Sequence, residues 1–392
     1  MGFESSGIND CEMDIFPNKL HVRCGVEDVA HEAIERTLAR QAARRLLERR
    51  AIVEKARELG FISFGTVSLD GTKIQANANR NKNETQDSLE KKIRDLIQEA
   101  ERIDEIEDDA FGDREDAEDP QLKTKEGREK RKQELKNKQK LAQAHLQARA
   151  SLSPDLSKDT KVNTTDSDSR LMKMKRGGYA NGYNVQIMTE NGFVLSSHIA
   201  NMSADQNLLV PSLNDFQKTH HAKPERLLAD KGYSSENNFA FCEQEEIDAY
   251  IPVHQEFPDL TRYTYDKEQD AYMHEDGRIF TFKQRMKRLD TDTHNDPKSY
   301  KHIIYEHEDK GTKKKKYLCI SPIWQRLAQI HKRKLDSPEG KERYKQRLPD
   351  VEGVFGNIKH NLNFTVFRLR GLTGAIIEWN LISMAHNLKK ML

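Results

Sequence analysis

The stretch Gly65-Thr-Val-Ser-Leu-Asp-Gly-Thr-Lys-Ile74 decides the fold of this chain. Val67 and Leu69 alternate with small or polar residues, which is the pattern of a β-strand with one buried face. Asp70 and Gly71 follow at once, and an Asp-Gly pair beside an alternating run is typical of a tight hairpin turn. We therefore expect a strand that ends in a turn with the Asp70 carboxylate beside it. A purely structural role in that turn is the alternative for Asp70.

A second acidic residue follows another short apolar strand. Residues 227–229 predict the strand, Asp230 and Gly232 follow it, and a serine then stands where it can cap the next helix. A carboxylate at the carboxyl end of a buried strand lies where α/β folds bind their ligands. An ordinary solvated loop aspartate is the alternative.

A third acidic residue lies on a predicted helix near the end of the chain. Pro349 and Asp350 indicate the helix start, and Glu352 and Lys359 are seven residues apart, which places them on one helical face. An ordinary amphipathic helix is the alternative. Its apolar positions are Val351, Val354, Phe355 and Ile358.

Several stretches, taken in order, resemble a known family, the bacterial insertion-sequence transposases with a DDE catalytic domain. They cover roughly residues 60 to 392. The matching stretches are Leu69-Asp-Gly-Thr-Lys-Ile-Gln-Ala-Asn-Ala78, Asp166-Ser-Asp-Ser-Arg-Leu-Met-Lys173, Arg176-Gly-Gly-Tyr-Ala-Asn-Gly-Tyr-Asn184, Leu228-Ala-Asp-Lys-Gly-Tyr-Ser234, Val351-Glu-Gly-Val-Phe-Gly-Asn-Ile-Lys359, Arg370-Gly-Leu372 and Ala385-His-Asn-Leu-Lys-Lys390.

The resemblance implies an α/β fold, an RNase H-like mixed sheet flanked by helices, and an enzyme that cuts DNA. Asp70, Asp230 and Glu352 would be the catalytic, metal-binding triad, with Mg²⁺ or Mn²⁺ as the cofactor, as two ions. Two such ions activate the attacking oxygen and stabilise the leaving oxygen at phosphorus, and they select oxygen ligands. The DNA-binding residues that the resemblance implies are Tyr344, Arg347, Lys359, Lys173 and Arg176.

The implied function is DNA transposition: metal-dependent cleavage at the ends of an insertion sequence, followed by strand transfer. The partners would be double-stranded DNA, as terminal inverted repeats and as target, and further copies of the chain in a DNA-bound homo-oligomer. Only some sixty residues precede the first strand, fewer than in the family's usual N-terminal helical domain. An inactive or N-terminally truncated remnant that still binds DNA is therefore one alternative, and a related metal-dependent DNA nuclease is another.

Composition supports a modest core with long polar additions: 392 residues, 35% hydrophobic and 33% charged. The net charge of +1 conceals segregation, because residues 101–119 hold eleven acidic and two basic residues and residues 310–347 hold thirteen basic and three acidic ones. A basic block of this kind suits phosphate binding, or else forms a solvated loop. The four cysteines form no disulfide or zinc pattern, which fits a reducing cytoplasm. No apolar run predicts a membrane span.

The chain divides by changes in pattern. Leu89, Ile93, Leu96, Ala100 and Ile103 have coiled-coil spacing, and a second helical stretch follows the acidic segment. A coiled-coil interaction protein is a third alternative, but it accounts for this region alone. We expect a short helical N-terminal segment at 1–60, catalytic core at 61–84 and 151–254, an inserted helical hairpin at 85–150, a second, basic insertion at 255–345, and C-terminal catalytic helices at 346–392.

Overall fold

The computed structural model describes residues 26–109, 122–152, 157–175, 177–253, 258, 260–287, 300–309 and 313–392. The helices are α1 (Val26–Glu58), α2 (Gln86–Asp109), α3 (Lys125–Leu152), α4 (Leu209–His220), α5 (Glu236–Gln244), α6 (Pro322–Asp336), α7 (Pro338–Lys345), α8 (Arg347–Gly356) and α9 (Gly371–Met391). The strands are β1 (Thr66–Gln75), β2 (Asn83–Glu84), β3 (Val162–Asn163), β4 (Arg170–Lys173), β5 (Tyr179–Glu190), β6 (Phe193–Ala200), β7 (Arg226–Ala229), β8 (Asp248–Tyr250), β9 (Tyr263–Asp266), β10 (Ala271–His274), β11 (Ile279–Lys287), β12 (Tyr300–Glu308) and β13 (Lys315–Ile320).

A mixed sheet forms the centre of the chain, which confirms the predicted α/β class. Its strands run in the order β4-β5-β1-β7-β8, and β6 pairs with β5 as well. β1 pairs antiparallel with β5 and parallel with β7, and β7 pairs parallel with β8. β1 therefore lies inside the sheet with a neighbour on each side.

The hairpin turn predicted at Asp70-Gly71 is wrong, because β1 continues through both residues to Gln75. Asp70 lies opposite Ile187 and Gly71 opposite Gln186, both in β5. A Cβ at Gly71 would collide with the side-chain amide of Gln186. The glycine therefore permits a close approach within a strand, which is the other common use of glycine in sheets.

Each face of the central sheet packs against its own set of helices. Val67 and Leu69 face a core to which α1, α4, α5 and α6 contribute. Ile74 lies in a second core with residues of α8 and α9. Trp379 of α9 is 0% exposed in that core, so it is a packing residue.

Three further features of the fold are a hairpin, a pair of helices and a second sheet. β5 and β6 form the hairpin, and Asn191 and Gly192 have φ angles of 51° and 70° at its turn, as a primed two-residue turn requires. Helices α2 and α3 occupy the stretch where two helices were expected and pack on each other, with Leu89 and Leu135 buried between them. Residues 263–320 contain a second, antiparallel sheet in the order β13-β12-β11-β10-β9.

Gly71→Ala should lower the free energy of unfolding by about 1 to 3 kcal/mol, because the added methyl group has to displace packed side chains. Gly353→Ala is the matched control, since nothing lies within 4 Å of a Cβ at this helical glycine, and it should be neutral or stabilising by up to about 1 kcal/mol. Urea unfolding followed by tryptophan fluorescence measures both. Equal stabilities for the two variants would contradict the close approach at Gly71.

Candidate active site

Two of the predicted carboxylates converge on one arginine. The parallel register of β1 and β7 pairs Leu69 with Ala229, so Asp70 and Asp230 are the next residues along adjacent chains. Arg347, at the start of α8, places its Nη2 3.1 Å from Oδ1 of Asp70 and 3.9 Å from Oδ2 of Asp230. Arg347 is only 7% exposed. The sheet and α8 thus bring together three residues that are distant in the sequence.

Backbone amides fix the orientation of both carboxylates. The amide of Gly71 donates to Oδ1 of Asp70 at 2.8 Å. The amide of Gly232 donates to Oδ1 of Asp230 at 2.7 Å, because Asp230 caps the short 3₁₀ helix Lys231–Tyr233. In each carboxylate one oxygen is held by the main chain, which limits the rotation of the other.

Burial controls the electrostatics of this pair. Burial raises the pKa of Asp70 above its ordinary value, whereas Arg347 and the Gly71 amide lower it and Asp230 and Asp205 raise it. Like charges at short range disfavour joint ionisation, and a nearby cation restores it. The Arg347 guanidinium therefore opposes the effect of burial on Asp70 and lowers the repulsion between the two carboxylates.

Helix α8 and the turn after it lie along β1 on the Asp70 side. Ser68 donates to Oδ2 of Asp350 at 3.1 Å, and the Lys359 ammonium donates to the hydroxyl of Thr72. Ser68 and Thr72 flank Asp70 at alternate positions, so they share its face of the sheet. Lys359 belongs to a π-helical turn, Asn357–Asn361, that follows α8.

Tyr344 and Glu352 lie on either side of Arg347 along the chain. Tyr344 is half-buried, and burial raises the pKa of its hydroxyl group. The carboxylates of Asp230 and Asp70 also raise this pKa, whereas Arg347 lowers it. Glu352 is exposed on α8, about one and a half helical turns beyond Arg347. Among the residues that the structure describes, no three His, Cys, Asp or Glu side chains are grouped closely enough to hold a metal ion. The structure therefore groups Asp70 with Asp230 and leaves Glu352 outside that group.

The other two predicted DNA-binding residues lie elsewhere. Lys173 is exposed on β4 and pairs with Tyr179 at the start of β5. Ile187, the partner of Asp70, lies eight residues further along β5, which corresponds to about 26 Å of strand. Lys173 is thus not beside the carboxylates. Arg176 lies outside the described residues.

A polar network on the opposite face supports the site, and the sequence analysis missed it. Oδ1 of Asp205 accepts from the side-chain amides of Asn184 at 2.7 Å and Gln186 at 2.9 Å. The buried Tyr233 donates its hydroxyl hydrogen to Oε1 of Gln186. Because Tyr233 belongs to the turn that begins at Asp230, this network ties that turn to β5. Tyr233 lies in the stretch 228–234 that carries the resemblance, but its hydrogen bond to Gln186 depends on the fold and cannot be predicted from the sequence.

The residues present fit a hard divalent cation. Two carboxylates lie side by side, and each keeps an oxygen that no backbone amide holds in the contacts above. Mg²⁺ prefers oxygen ligands and is commonly bound through one or two carboxylates while it keeps several waters. The chemistry of the donor set therefore agrees with the cofactor that the resemblance implies.

No helix within the described ranges is long and apolar enough to cross a membrane. Comparisons of the chain with curated proteins and with solved structures gave no match. A family model described as a transposase DDE domain matches residues 305–392. That segment contains Tyr344, Arg347, Glu352 and Lys359, and it is thus similar to a transposase DDE domain.

Proposed function

We propose that the chain catalyses metal-dependent cleavage of DNA at the ends of an insertion sequence and transfers the freed strand to a target. The observation that carries this proposal is the pairing of Asp70 and Asp230 on adjacent parallel strands, with the Arg347 guanidinium between them. The mixed sheet, in which β1 is antiparallel to β5 and parallel to β7, supports the RNase H-like fold that the resemblance implies.

Asp70 and Asp230 would hold Mg²⁺ or Mn²⁺, and we assign Glu352 as the third ligand. When bound, two such ions polarise the attacking and leaving oxygens of an in-line displacement at phosphorus. α8 is tied to β1 through Ser68 and Asp350, and the exposed Glu352 carboxylate on this helix is free to meet an ion that arrives with DNA. A site completed only by substrate accounts for a third carboxylate that lies apart from the other two.

The remaining residues of the site orient the two carboxylates and contact the DNA phosphate. The Gly71 and Gly232 amides hold one oxygen of each aspartate, so the two carboxylates need little reorganisation at the moment of reaction. Arg347 balances the charge of the pair. Lys359, held beside Asp70 by Thr72, presents an ammonium group to a phosphate that approaches this face.

One site serves both hydrolysis and strand transfer, because the attacking oxygen can belong to water or to a 3′ hydroxyl group. An assay for joined products separates a transposase from a nuclease that cuts without strand transfer. Cleaved ends without joined products, at saturating target DNA, would favour the nuclease.

Asp230→Asn should reduce cleavage by about 10³-fold or more, because a neutral amide replaces a charged oxygen ligand. Asp248→Asn is the matched control: Asp248 lies in β8 opposite Arg226, at the far end of the parallel strands, and the change should leave cleavage within about threefold. Gel assays of a labelled end fragment with Mg²⁺ measure both. Cleavage near the normal rate by folded Asp230→Asn protein would refute the metal site.

Glu352→Gln should abolish cleavage while DNA affinity stays the same or rises slightly, because the change removes one negative charge close to the substrate. Glu342→Gln, on the exposed face of α7, is the control for a lost surface charge and should still cut. Anisotropy titrations and cleavage assays on the same preparations separate binding from chemistry. Retained cleavage in Glu352→Gln would remove this residue from the site.

Arg347→Ala should increase the thermal stabilisation given by Mn²⁺. Without the guanidinium, Asp70 and Asp230 repel each other in the metal-free protein, so an added cation relieves more repulsion than in the original chain. Arg343→Ala removes an arginine that pairs with Glu339 on the surface of α7, and it serves as the control. Thermal unfolding across a Mn²⁺ series measures the shift, and equal shifts in all three proteins would show that Arg347 and the metal do not share a site.

A further inference from the structure

Helices α2 and α3 carry opposite charge. α2 holds ten acidic and four basic residues, whereas α3 holds nine basic and three acidic residues. Neither helix makes an extensive contact with any other described helix or strand, so the two form a self-contained pair. The charge of each outer surface is therefore set by its own helix.

Part of the basic charge of α3 is neutralised by α2. Arg131 lies 2.6 Å from Glu99, and Lys132 forms ion pairs with Asp104 and Glu107. Arg128, which is 1% exposed, contacts Glu107 as well. These basic residues lie on the side of α3 that faces its partner helix, and they account for its attraction to α2.

Four other lysines of α3 lie outside these ion pairs. Lys130, Lys136, Lys138 and Lys140 are exposed, and within the described parts of the chain none of them forms an ion pair with an acidic residue. The sequence has no acidic residue from position 135 to position 154. From position 135 onward the exposed surface of α3 is thus positive and has no acidic residue of its own.

The spacing of these lysines suits a nucleic-acid backbone. Ten residues separate Lys130 from Lys140, which is about 15 Å of helix, and one DNA strand presents about four phosphates over that length. Gln133 and Asn137 are exposed between them. Such amides commonly donate to phosphate and sugar oxygens.

The pair is anchored to the sheet that carries the carboxylates. Arg149, at the end of α3, donates to the carbonyl oxygens of Ser157 at 2.6 Å and Lys158 at 3.1 Å. At the start of α2, Asn83 exchanges hydrogen bonds with Asn181 of β5. The helix pair is therefore joined to the central sheet at β5.

We propose that the outer face of α3, defined by Lys130, Lys136 and Lys140, binds the phosphate backbone of duplex DNA outside the carboxylate site. This inference rests on the proposed function, since it supplies a second contact with the same kind of substrate. The contact is independent of base sequence, because contacts to phosphates carry no sequence information directly. It adds affinity and holds the duplex in place while a phosphodiester lies at Asp70 and Asp230.

The test compares two double variants of the full chain with equal loss of charge. Lys136→Gln with Lys140→Gln should make the slope of log K against log salt shallower by about two units and weaken binding by about tenfold, since each phosphate contact releases about 0.9 counterion. Lys91→Gln with Lys92→Gln, on the acidic α2, should change the slope by less than about half a unit. Anisotropy titrations of a labelled duplex between about 50 and about 200 mM salt give both slopes.

An unchanged slope in the α3 double variant, or the same change in both variants, would overturn the proposal. Light scattering without DNA tests whether α3 instead binds a second copy of the chain. If the unaltered chain forms an assembly that dissociates in the α3 variant, α3 binds the acidic α2 of the second copy. Cleavage is read separately at saturating DNA, where the α3 variant should still cut. If the unaltered chain binds DNA with the expected slope but never cuts, the proposed function fails and this inference stands.

Discussion

The parallel pairing of β1 with β7 is the constraint on which the site depends. It places Asp70 and Asp230 side by side, and two partly buried carboxylates at that spacing repel each other unless a cation lies between them. In this chain the cation is Arg347 at the first position of α8. Arg347 therefore links α8, the helix that carries Glu352, to the carboxylates of the sheet, and the buried Val351 and Val354 add apolar contacts.

The two faces of β1 have different tasks. Ser68, Asp70 and Thr72 face α8 and carry the polar contacts of the site, whereas Gly71 faces the Gln186 side chain. The absence of a side chain at Gly71 lets Gln186 lie close beneath Asp70 and reach Tyr233. Gly71, directly beside Asp70 in the strand, leaves the space that the Gln186 side chain occupies on the other face of β1.

Local sequence patterns predicted individual strands and helices well, but they did not predict which segments contact each other in the fold. The strand before Asp230 and the two helices α2 and α3 followed from a short apolar run and from coiled-coil spacing. The turn at Asp70-Gly71 failed because pairing with β5 on one side and β7 on the other outweighs the local preference of Asp-Gly. The burial of Arg347 and the Asp205–Gln186–Tyr233 network depend on segments far apart in sequence, and no local pattern encodes them.

The near-zero net charge of the chain follows from the same separation of roles. Acidic residues are concentrated in α2 and in the carboxylate pair, and basic residues in α3 and in the segment that leads to Arg347. Electrostatic attraction to DNA decays within about 10 Å at 0.1 M salt, so a phosphate responds to the nearest surface and not to the total charge. On the proposed function, segregation lets one chain keep carboxylates for a metal and still present positive surfaces to DNA. α2 neutralises the inner side of α3, and the part of α3 from position 135 onward, which has no acidic residue, keeps an exposed positive surface.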